Sequence, residues 1–349
     1  MEANQHIDAS PMLGEECVIN LNDDEKDSIR AITDRLSLWD IANLDTDDIF
    51  TQVQIAQKEI PHSLASTLID FRRNSNNYGT LLIRNLPVDH ALPPTPNGNQ
   101  KAFSKTSVSE YALLMLMMYL GEPIGYADEK EGAIIQNTFP VAGQEERLEN
   151  TGSVYLDFHT ESCFHPNKPD YVGLFCLRSD HDQIARTASA SIYRAIHKVP
   201  SKLISILRQP LYRARVSTAY VKPGEPALYS PFMPILSGDT VEPDLCVNFF
   251  GMEAKNPIAQ LAFDSLKAAL LQVAVDCVLL PGDLLIVDNR VAAHGRTGFH
   301  PRYDGNDRWL QRLFVVEDFR LSKPSRYRGK HVCLPLSVEF FTHSDESTK

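Results

Sequence analysis

Residues 279–318 read LLPGDLLIVDNRVAAHGRTGFHPRYDGNDRWLQRLFVVED. This stretch contains a Pro-Gly-Asp turn, an apolar run, a short turn that includes His294, a polar loop and a second apolar run. Short apolar runs bounded by turn residues are typical of buried β-strands. The stretch therefore predicts two strands separated by a short turn and a polar loop.

The same pattern begins at Gly132, where short runs of β-branched and aromatic residues alternate with turns. Many short strands at moderate spacing predict a sandwich or barrel of antiparallel sheets. Helical patterns near residues 191–208 and 256–272 interrupt the strands. We therefore expect a mainly β, or α+β, fold whose core at residues 126–320 is a double-sheet, cupin-like jelly roll with inserted helices.

The region at residues 23–125 has a largely helical pattern. Apolar positions at helical spacing between residues 24 and 75 predict two or three helices, and the long apolar run at residues 107–120 predicts a buried helix. GTLLIRNLP, at residues 79–87, is bounded by Gly and Pro and predicts a strand. We expect these helices to pack outside the jelly-roll core.

The chain of 349 residues is 43% hydrophobic and can bury a large core. We expect a single domain over residues 23–349, preceded by a polar leader at residues 1–22. Within that domain, residues 321–349 are expected to form a C-terminal extension.

Charge and cysteine content limit the partners. The formal net charge is -11, and no Lys/Arg cluster offers the basic face that nucleic-acid binding requires. Six cysteines without a CxxC pair predict reduced thiols. No stretch reaches the roughly 18 apolar residues of a membrane span. We expect a cytoplasmic monomer or homodimer that binds a small molecule, and neither nucleic acid nor membrane.

His159 and Glu161, in FHTES, form a candidate metal site. Residues i and i+2 of a strand project from one face, so both side chains can bind one ion. Two imidazoles and a carboxylate leave three adjacent octahedral positions open, as non-haem Fe(II) oxygenases require. The sequence contains three His-x-Asp/Glu matches, against roughly one or two expected by chance. The other two, at His6 and His343, lie in polar terminal segments, and the alternative for His159 is a hydrogen-bonded core histidine.

Arg308 and Arg312 lie four residues apart around an apolar segment. In a strand both would face one side, with Trp309 and Leu313 on the other. A guanidinium group inside a barrel is costly unless an anion meets it, and a carboxylate matches its planar geometry. The pair therefore predicts a carboxylate-binding wall, with two exposed arginines on an edge strand as the alternative.

These residues together resemble a known family. HTE at residues 159–161, DNRVAAHGR and RYDGNDRWLQR are similar to the clavaminate synthase-like 2-oxoglutarate oxygenases, especially the bacterial branch that hydroxylates free arginine, lysine, asparagine or enduracididine. The resemblance runs from about Leu82 to Asp318. It implies a distorted double-stranded β-helix with extra helices.

The resemblance also implies the roles of individual residues. His159, Glu161 and His294 would bind Fe(II), and Arg308 with Thr187 would hold the distal carboxylate of the co-substrate 2-oxoglutarate. O2 would be the second co-substrate.

For the amino-acid substrate, the resemblance implies three further contacts. Arg312 would bind the α-carboxylate, and Gln136 together with Glu161 would hold the α-amine. Residues 216–236 would form a mobile lid. These contacts favour hydroxylation of a free L-amino acid at Cβ, with Cγ hydroxylation, desaturation or cyclisation as other outcomes.

The sequence departs from relatives that act on cationic side chains. Those relatives carry an Asp-x-Asp pair after the lid, whereas Asn248 and Phe250 stand in the corresponding positions here. A buried cation would be left unpaired at this point. We therefore expect a neutral or acidic substrate, although Asp239, Glu242 or Asp244 can supply the charge if the alignment shifts.

Other functions remain open from the sequence. Within the family, the alternative is an arginine or lysine hydroxylase or desaturase. From another class, the alternative is a cupin-like metal protein that acts as an isomerase or a binding module. A catalytically silent relative is the third alternative.

Overall fold

A computed structural model describes residues 10–39, 44–97, 107–147, 151–221, 227–337 and 340–341. The helices are α1 (Asp23–Leu36), α2 (Asp47–Ala56), α3 (His62–Asn74), α4 (Ser107–Met117), α5 (Ile192–Ala195), α6 (Ser201–Leu207) and α7 (Pro257–Val273). The strands are β1 (Val18–Asn20), β2 (Thr80–Arg84), β3 (Glu122–Tyr126), β4 (Ile135–Thr138), β5 (Leu156–His159), β6 (Tyr171–Arg178), β7 (Arg186–Ser191), β8 (Tyr212–Ala214), β9 (Leu236–Gly238), β10 (Pro243–Leu245), β11 (Met252–Ala254), β12 (Val275–Val278), β13 (Leu284–Asp288), β14 (Ala292–Arg296), β15 (Trp309–Val316) and β16 (Val332–Cys333). No helix in these ranges is long and apolar enough to cross a membrane.

The N-terminal helices are amphipathic. In α1 the buried residues Ile29, Ile32 and Leu36 recur at helical spacing and form one apolar stripe. A capping box begins this helix, because Asn22 accepts a hydrogen bond from the Glu25 backbone N–H and the Glu25 side chain accepts one from the Asn22 N–H. Three helices before β2 confirm the helical pattern expected there.

The larger sheet has eight strands in the order β1-β2-β13-β6-β15-β3-β16, with β4 also paired to β15. Most of its pairs are antiparallel, while β1 with β2 and β16 with β3 are parallel. Helix α4 packs directly on this sheet. At Gly173 of β6 a Cβ atom would lie 2.6 Å from Sδ of Met117, so any larger residue there would displace the Met117 side chain.

The smaller sheet has the order β12-β7-β14-β5. Helices α5, α6 and α7 bury apolar residues in one cluster with its outer face. Leu82, Leu174, Leu285 and Phe314 of the larger sheet form another buried cluster with Cys277 of β12. The pairs β10-β9 and β11-β8 form two further small sheets. The described part of the chain is therefore a mixed α/β arrangement of two main sheets, two two-stranded sheets and helices.

Several expected elements are confirmed at the residue level. The strand expected at residues 79–87 is β2, the long apolar helix is α4, and the two inserted helical regions are α5 with α6 and α7. The six cysteines are free thiols. His6 and His343 lie outside the described residues.

Two expectations near the candidate metal site were wrong in detail. His294 lies within β14 and not in a turn, because β14 pairs with β7 along its whole length and with β5 on the other side. Gly295 permits the close approach of β5, since a Cβ there would lie 2.6 Å from O of Leu156. Strand β5 ends at His159, because the backbone N–H of Thr160 donates to O of Val247 at 2.7 Å. Glu161 therefore follows the strand.

LCVNFF, at residues 245–250, is one of the short apolar runs after Gly132, and the sequence pattern predicts a strand there as well. Only Leu245 belongs to a strand, β10. Asn248 pairs with His159 through one isolated bridge. This segment is consequently a loop at the end of β5.

Candidate active site

Three potential metal ligands converge between the sheets. His159 and His294 are directly paired across β5 and β14, and their ring centroids are 4.5 Å apart. Oε2 of Glu161 lies 3.8 Å from Nε2 of His294. One donor atom from each residue lies within 4.8 Å of the other two. The structure thus brings together the three residues that the sequence indicated.

The electrostatics of the two histidines suit a divalent metal. Nδ1 of His159 lies 3.0 Å from the carbonyl oxygen of Asp157, which leaves its Nε2 available. Burial, followed by the nearby His159 and Arg312, holds the pKa of His294 well below its usual range. The imidazole is therefore neutral, which is the form that binds metals, and two imidazoles with one carboxylate fit Fe(II).

Glu161 is held firmly although it follows the end of its strand. Its backbone N–H donates to Oδ1 of Asn289 at 2.7 Å, and Nδ2 of Asn289 donates to the carbonyl oxygen of Glu161 at 3.1 Å. The same Nδ2 donates to O of Pro169 at 2.8 Å. Asn289 therefore links the turn that carries Glu161 to the segment between β13 and β14.

Arg312, on β15, is surrounded by acceptors. Its Nη1 donates to Oε2 of Glu161 at 3.0 Å, and its Nη2 donates to Glu129 and Gln136. Burial acts to lower the pKa of Arg312, but Glu161 and Glu129 outweigh it and raise the pKa. The guanidinium is thus fully charged and neutralised by protein carboxylates.

Gln136 lies behind Arg312. Its Oε1 accepts from Nε of Arg312 at 3.2 Å, and its buried Nε2 has no partner among the described residues. Glu129, in contrast, lies on the cavity wall. The predicted contact of Gln136 with a substrate amine stays a prediction.

Arg308 immediately precedes β15 and has a different environment. It is 5% exposed, and its Nη2 reaches Oγ1 of Thr187 on β7 at 3.5 Å. No carboxylate forms an ion pair with it within the described part of the chain. Burial lowers the pKa of Arg308. A buried guanidinium without an acidic partner is a site for an anion.

These residues line a cavity of about 450 Å³, a size suited to small ligands. Asn248 and Phe250 lie on its wall, and the Phe250 ring approaches His159 edge-on at 5.4 Å. Oδ1 of Asn248 accepts from the Phe250 backbone N–H at 3.1 Å. Residues 216–218, from the expected lid, also line the cavity, while residues 222–226 lie outside the described ranges.

A second group with metal-binding side chains consists of His181, Asp304 and Asp307. Nε2 of His181 lies 3.1 Å from Asp304, and Oδ1 of Asp307 accepts from the Arg302 backbone N–H at 2.7 Å. These contacts hold the loop between β14 and β15. The group is explained by a structural role.

Three residues of the site received no role from the sequence: Glu129, Asn289 and Arg296. Glu129 lies in ADEKEG, where several acidic residues are equivalent by pattern. Arg296 follows His294 by two residues, so placing His294 on a strand would have indicated that Arg296 shares its face. Asn289 makes a tertiary contact that no local pattern reveals.

Comparison with known families gives a match over most of the chain. The sequence profile described as "Taurine catabolism dioxygenase TauD, TfdA family" matches residues 49–314.

Individual relatives agree with that match. The chain is 40% identical over 267 residues to L-asparagine oxygenase of Streptomyces coelicolor, covering 76% of this chain and 79% of the relative. It is 33% identical over 284 residues to L-lysine 3-hydroxylase of Catenulispora acidiphila, covering 80% and 78%. A crystal structure of asparagine oxygenase with Fe(II), 2S,3S-3-hydroxyasparagine and succinate superposes with a TM-score of 0.86 at 36% identity, covering 92% of this chain and 100% of the other.

Proposed function

Because the chain belongs to the TauD, TfdA family of dioxygenases, we propose that it hydroxylates an aliphatic carbon of a free L-amino acid, with Cβ favoured. The enzyme is a 2-oxoglutarate-dependent non-haem iron dioxygenase that uses Fe(II), 2-oxoglutarate and O2. The related asparagine oxygenase, whose structure contains a 3-hydroxylated amino acid, supports the preference for Cβ.

One observation carries the proposal. Within a single cavity, a cluster of two histidines and a glutamate lies beside Arg312, which protein carboxylates neutralise, and Arg308, which has no acidic partner among the described residues. Such a cavity can hold a metal, an amino acid and a second, anionic molecule at the same time.

We assign the metal to His159, Glu161 and His294. Bound Fe(II), with 2-oxoglutarate and O2, supplies the oxidising chemistry that converts C–H to C–OH, with succinate and CO2 as co-products. The protein side chains position the substrate beside this centre and exclude water from it. The neutral imidazole of His294 and the clamp of Asn289 on Glu161 preorganise the ligands.

We assign the distal carboxylate of 2-oxoglutarate to Arg308 and Thr187. The missing acidic partner of Arg308 supports this assignment. The carboxylate would form charge-assisted hydrogen bonds in a buried setting, where such bonds are strong.

We assign the α-carboxylate and the α-amine of the amino acid to Arg312 and the acceptors around it, which we call the Arg312 cluster. Arg312 would bind the α-carboxylate, while Glu161 and Gln136 would hold the α-amine. Glu129, on the cavity wall and in contact with Arg312, is a further acidic group within reach of the amine. Clamping both α-groups next to the metal presents Cβ to it.

For the substrate side chain we propose a neutral or acidic group. Asn248 lies on the cavity wall near His159, where it can donate its amide to such a group. The two acidic residues of the wall, Glu129 and Glu161, are already paired with Arg312. An arginine or lysine side chain would therefore lack a free carboxylate there.

The test is a mass-spectrometric screen of the twenty amino acids with Fe(II), ascorbate and 2-oxoglutarate. The proposal expects the gain of one oxygen on a neutral or acidic amino acid, together with iron-dependent succinate. Strong activity with arginine or lysine alone would refute the assignment of Asn248. A metal-loaded protein that forms no succinate with any amino acid would favour the alternative of a cupin-like isomerase or binding module.

The finer structural expectations remain proposals. We propose that the eight-stranded and four-stranded sheets form a distorted jelly roll, and the position of the three metal-binding side chains between them supports this topology. We also propose one oxygenase domain over residues 23–349, acting in the cytoplasm as a monomer or homodimer.

A further inference from the structure

Arg296 is a buried cation in the same cavity as the metal-binding side chains His159, Glu161 and His294. It follows His294 by two residues on β14 and faces Thr187 in the pairing of β14 with β7. It is 7% exposed and lines the cavity. Arg308 reaches the same Thr187 from the other sheet. Arg296 and Arg308 are therefore both neighbours of Thr187, Arg296 through strand pairing and Arg308 through its side chain.

The two arginines share an aromatic neighbour. The guanidinium carbon of Arg296 lies 5.0 Å from the centre of the Phe299 ring, and that of Arg308 lies 5.9 Å from it. Neither arginine forms an ion pair with a carboxylate in the described ranges. This corner of the cavity thus carries two buried guanidinium groups that no described carboxylate neutralises.

Arg296 also binds a neighbouring segment of the chain through hydrogen bonds. Its Nη2 donates to the carbonyl oxygens of Gly152 and Val154, both at 3.0 Å. Its buried Nε has no partner among the described residues. Carbonyl oxygens solvate part of the charge but do not neutralise it.

We propose that Arg296 is a second co-substrate-binding residue, which shares the distal carboxylate of 2-oxoglutarate with Arg308 while it remains hydrogen-bonded to the Gly152–Val154 segment. This inference rests on the proposed function. An anion between two guanidinium groups lowers their mutual repulsion as well as pairing with each of them. Binding of the distal carboxylate should therefore depend on both arginines.

The experiment compares 2-oxoglutarate with 2-oxopentanoate, which carries a methyl group in place of the distal carboxylate. Dissociation constants for both are measured by calorimetry on Zn(II)-loaded protein, so that turnover plays no part. The variants are Arg296→Gln, which removes the charge, and Arg296→Lys, which keeps it. Arg194→Gln is the matched control, because Arg194 donates to O of Val273 and stacks on Tyr78 away from the cavity.

We expect Arg296→Gln to weaken binding of 2-oxoglutarate roughly tenfold and to leave binding of 2-oxopentanoate unchanged. Arg296→Lys should lose less, about threefold, and it carries the test if Arg296→Gln does not fold. Arg194→Gln should change neither constant.

Equal losses for both keto acids would overturn the inference, because Arg296 would then only brace the Gly152–Val154 segment. Unchanged binding of 2-oxoglutarate in both Arg296 variants would overturn it as well. These results leave the proposed function intact. Wild-type protein that binds neither keto acid would instead contradict the proposed function itself.

Discussion

Arg308 and Arg312 lie four residues apart at β15 and are both buried, yet among the described residues only Arg312 is neutralised by carboxylates. Arg312 is paired with Glu161 and Glu129, which raise its pKa. Arg308 has the hydroxyl of Thr187 as its nearest acceptor, and burial lowers its pKa. The protein thus completes one arginine site itself and leaves the other for a ligand.

This difference indicates how the cavity can distinguish the distal carboxylate of 2-oxoglutarate from the α-carboxylate of the substrate. A co-substrate that brings one negative charge is favoured at Arg308, where it replaces a missing partner. At Arg312 an amino acid brings a carboxylate and an ammonium together, so that the net charge of the cluster is preserved. Charge balance therefore supports assigning 2-oxoglutarate to Arg308 and the α-groups of the substrate to Arg312.

The largest effect is expected for Arg312→Met. This substitution leaves Glu129 and Glu161 buried without their cation, at a cost of about 3–5 kcal/mol in the free energy of unfolding. Denaturant unfolding of the metal-free protein measures this loss. A stability equal to that of the wild type would show that Arg312 is not needed to neutralise the two carboxylates.

Arg308→Met should produce the opposite pattern. Removing an unpaired buried cation should not lower the stability of the metal-free protein, whereas the affinity for 2-oxoglutarate should fall about a hundredfold because a charge-assisted pair is lost. Unfolding and calorimetry on the same sample measure both quantities. A large loss of stability with unchanged affinity would reverse the comparison between the two arginines.

A smaller effect is expected for Glu129→Gln. The amide keeps a hydrogen-bond acceptor for Arg312, but the substitution removes one of the two negative charges that neutralise this arginine. The KM for the amino acid should rise about tenfold, while the KM for 2-oxoglutarate should stay unchanged. Steady-state kinetics with each substrate varied separately provide the check. Parallel increases in both constants would mean that the two arginine sites are not independent.

The smallest effect is expected for Asn248→Asp, which adds a negative charge at the side-chain end of the cavity with little change in shape. Relative turnover of acidic against neutral amino acids should fall about threefold through repulsion between like charges. Competition assays with paired amino acids measure this ratio. An unchanged ratio would place the substrate side chain away from Asn248.

Much of this site was predictable because its chemistry is local or spaced in a simple way. His159 and Glu161 follow a strand pattern, and Arg308 and Arg312 border one apolar segment. The neutralisation of Arg312 by Glu129 was not predictable, since the two residues are separated by 183 positions and the turn around Glu129 contains several acidic residues. The role of Asn289 depends likewise on a contact across 128 positions.

The strand boundaries show the same limit. Residues AAHGR are small and polar enough to be taken for a turn, but they pair with β7 along their whole length and with β5 on the other side, which makes them a strand. Conversely, LCVNFF has the composition of a strand, but hydrogen bonds between Val247 and Thr160 keep it in a loop. Tertiary hydrogen bonds decided both cases, and a local pattern does not contain them.

The different roles of Arg308 and Arg312 can be seen directly in a crystal structure of the protein grown without O2, with Fe(II) and 2-oxoglutarate. We expect one metal ion bound by His159, Glu161 and His294, and the distal carboxylate of 2-oxoglutarate bound to Arg308. The ion pairs of Arg312 with Glu129 and Glu161 should be retained. A metal bound elsewhere, or the distal carboxylate on Arg312 with Arg308 left without an anion, would contradict this expectation.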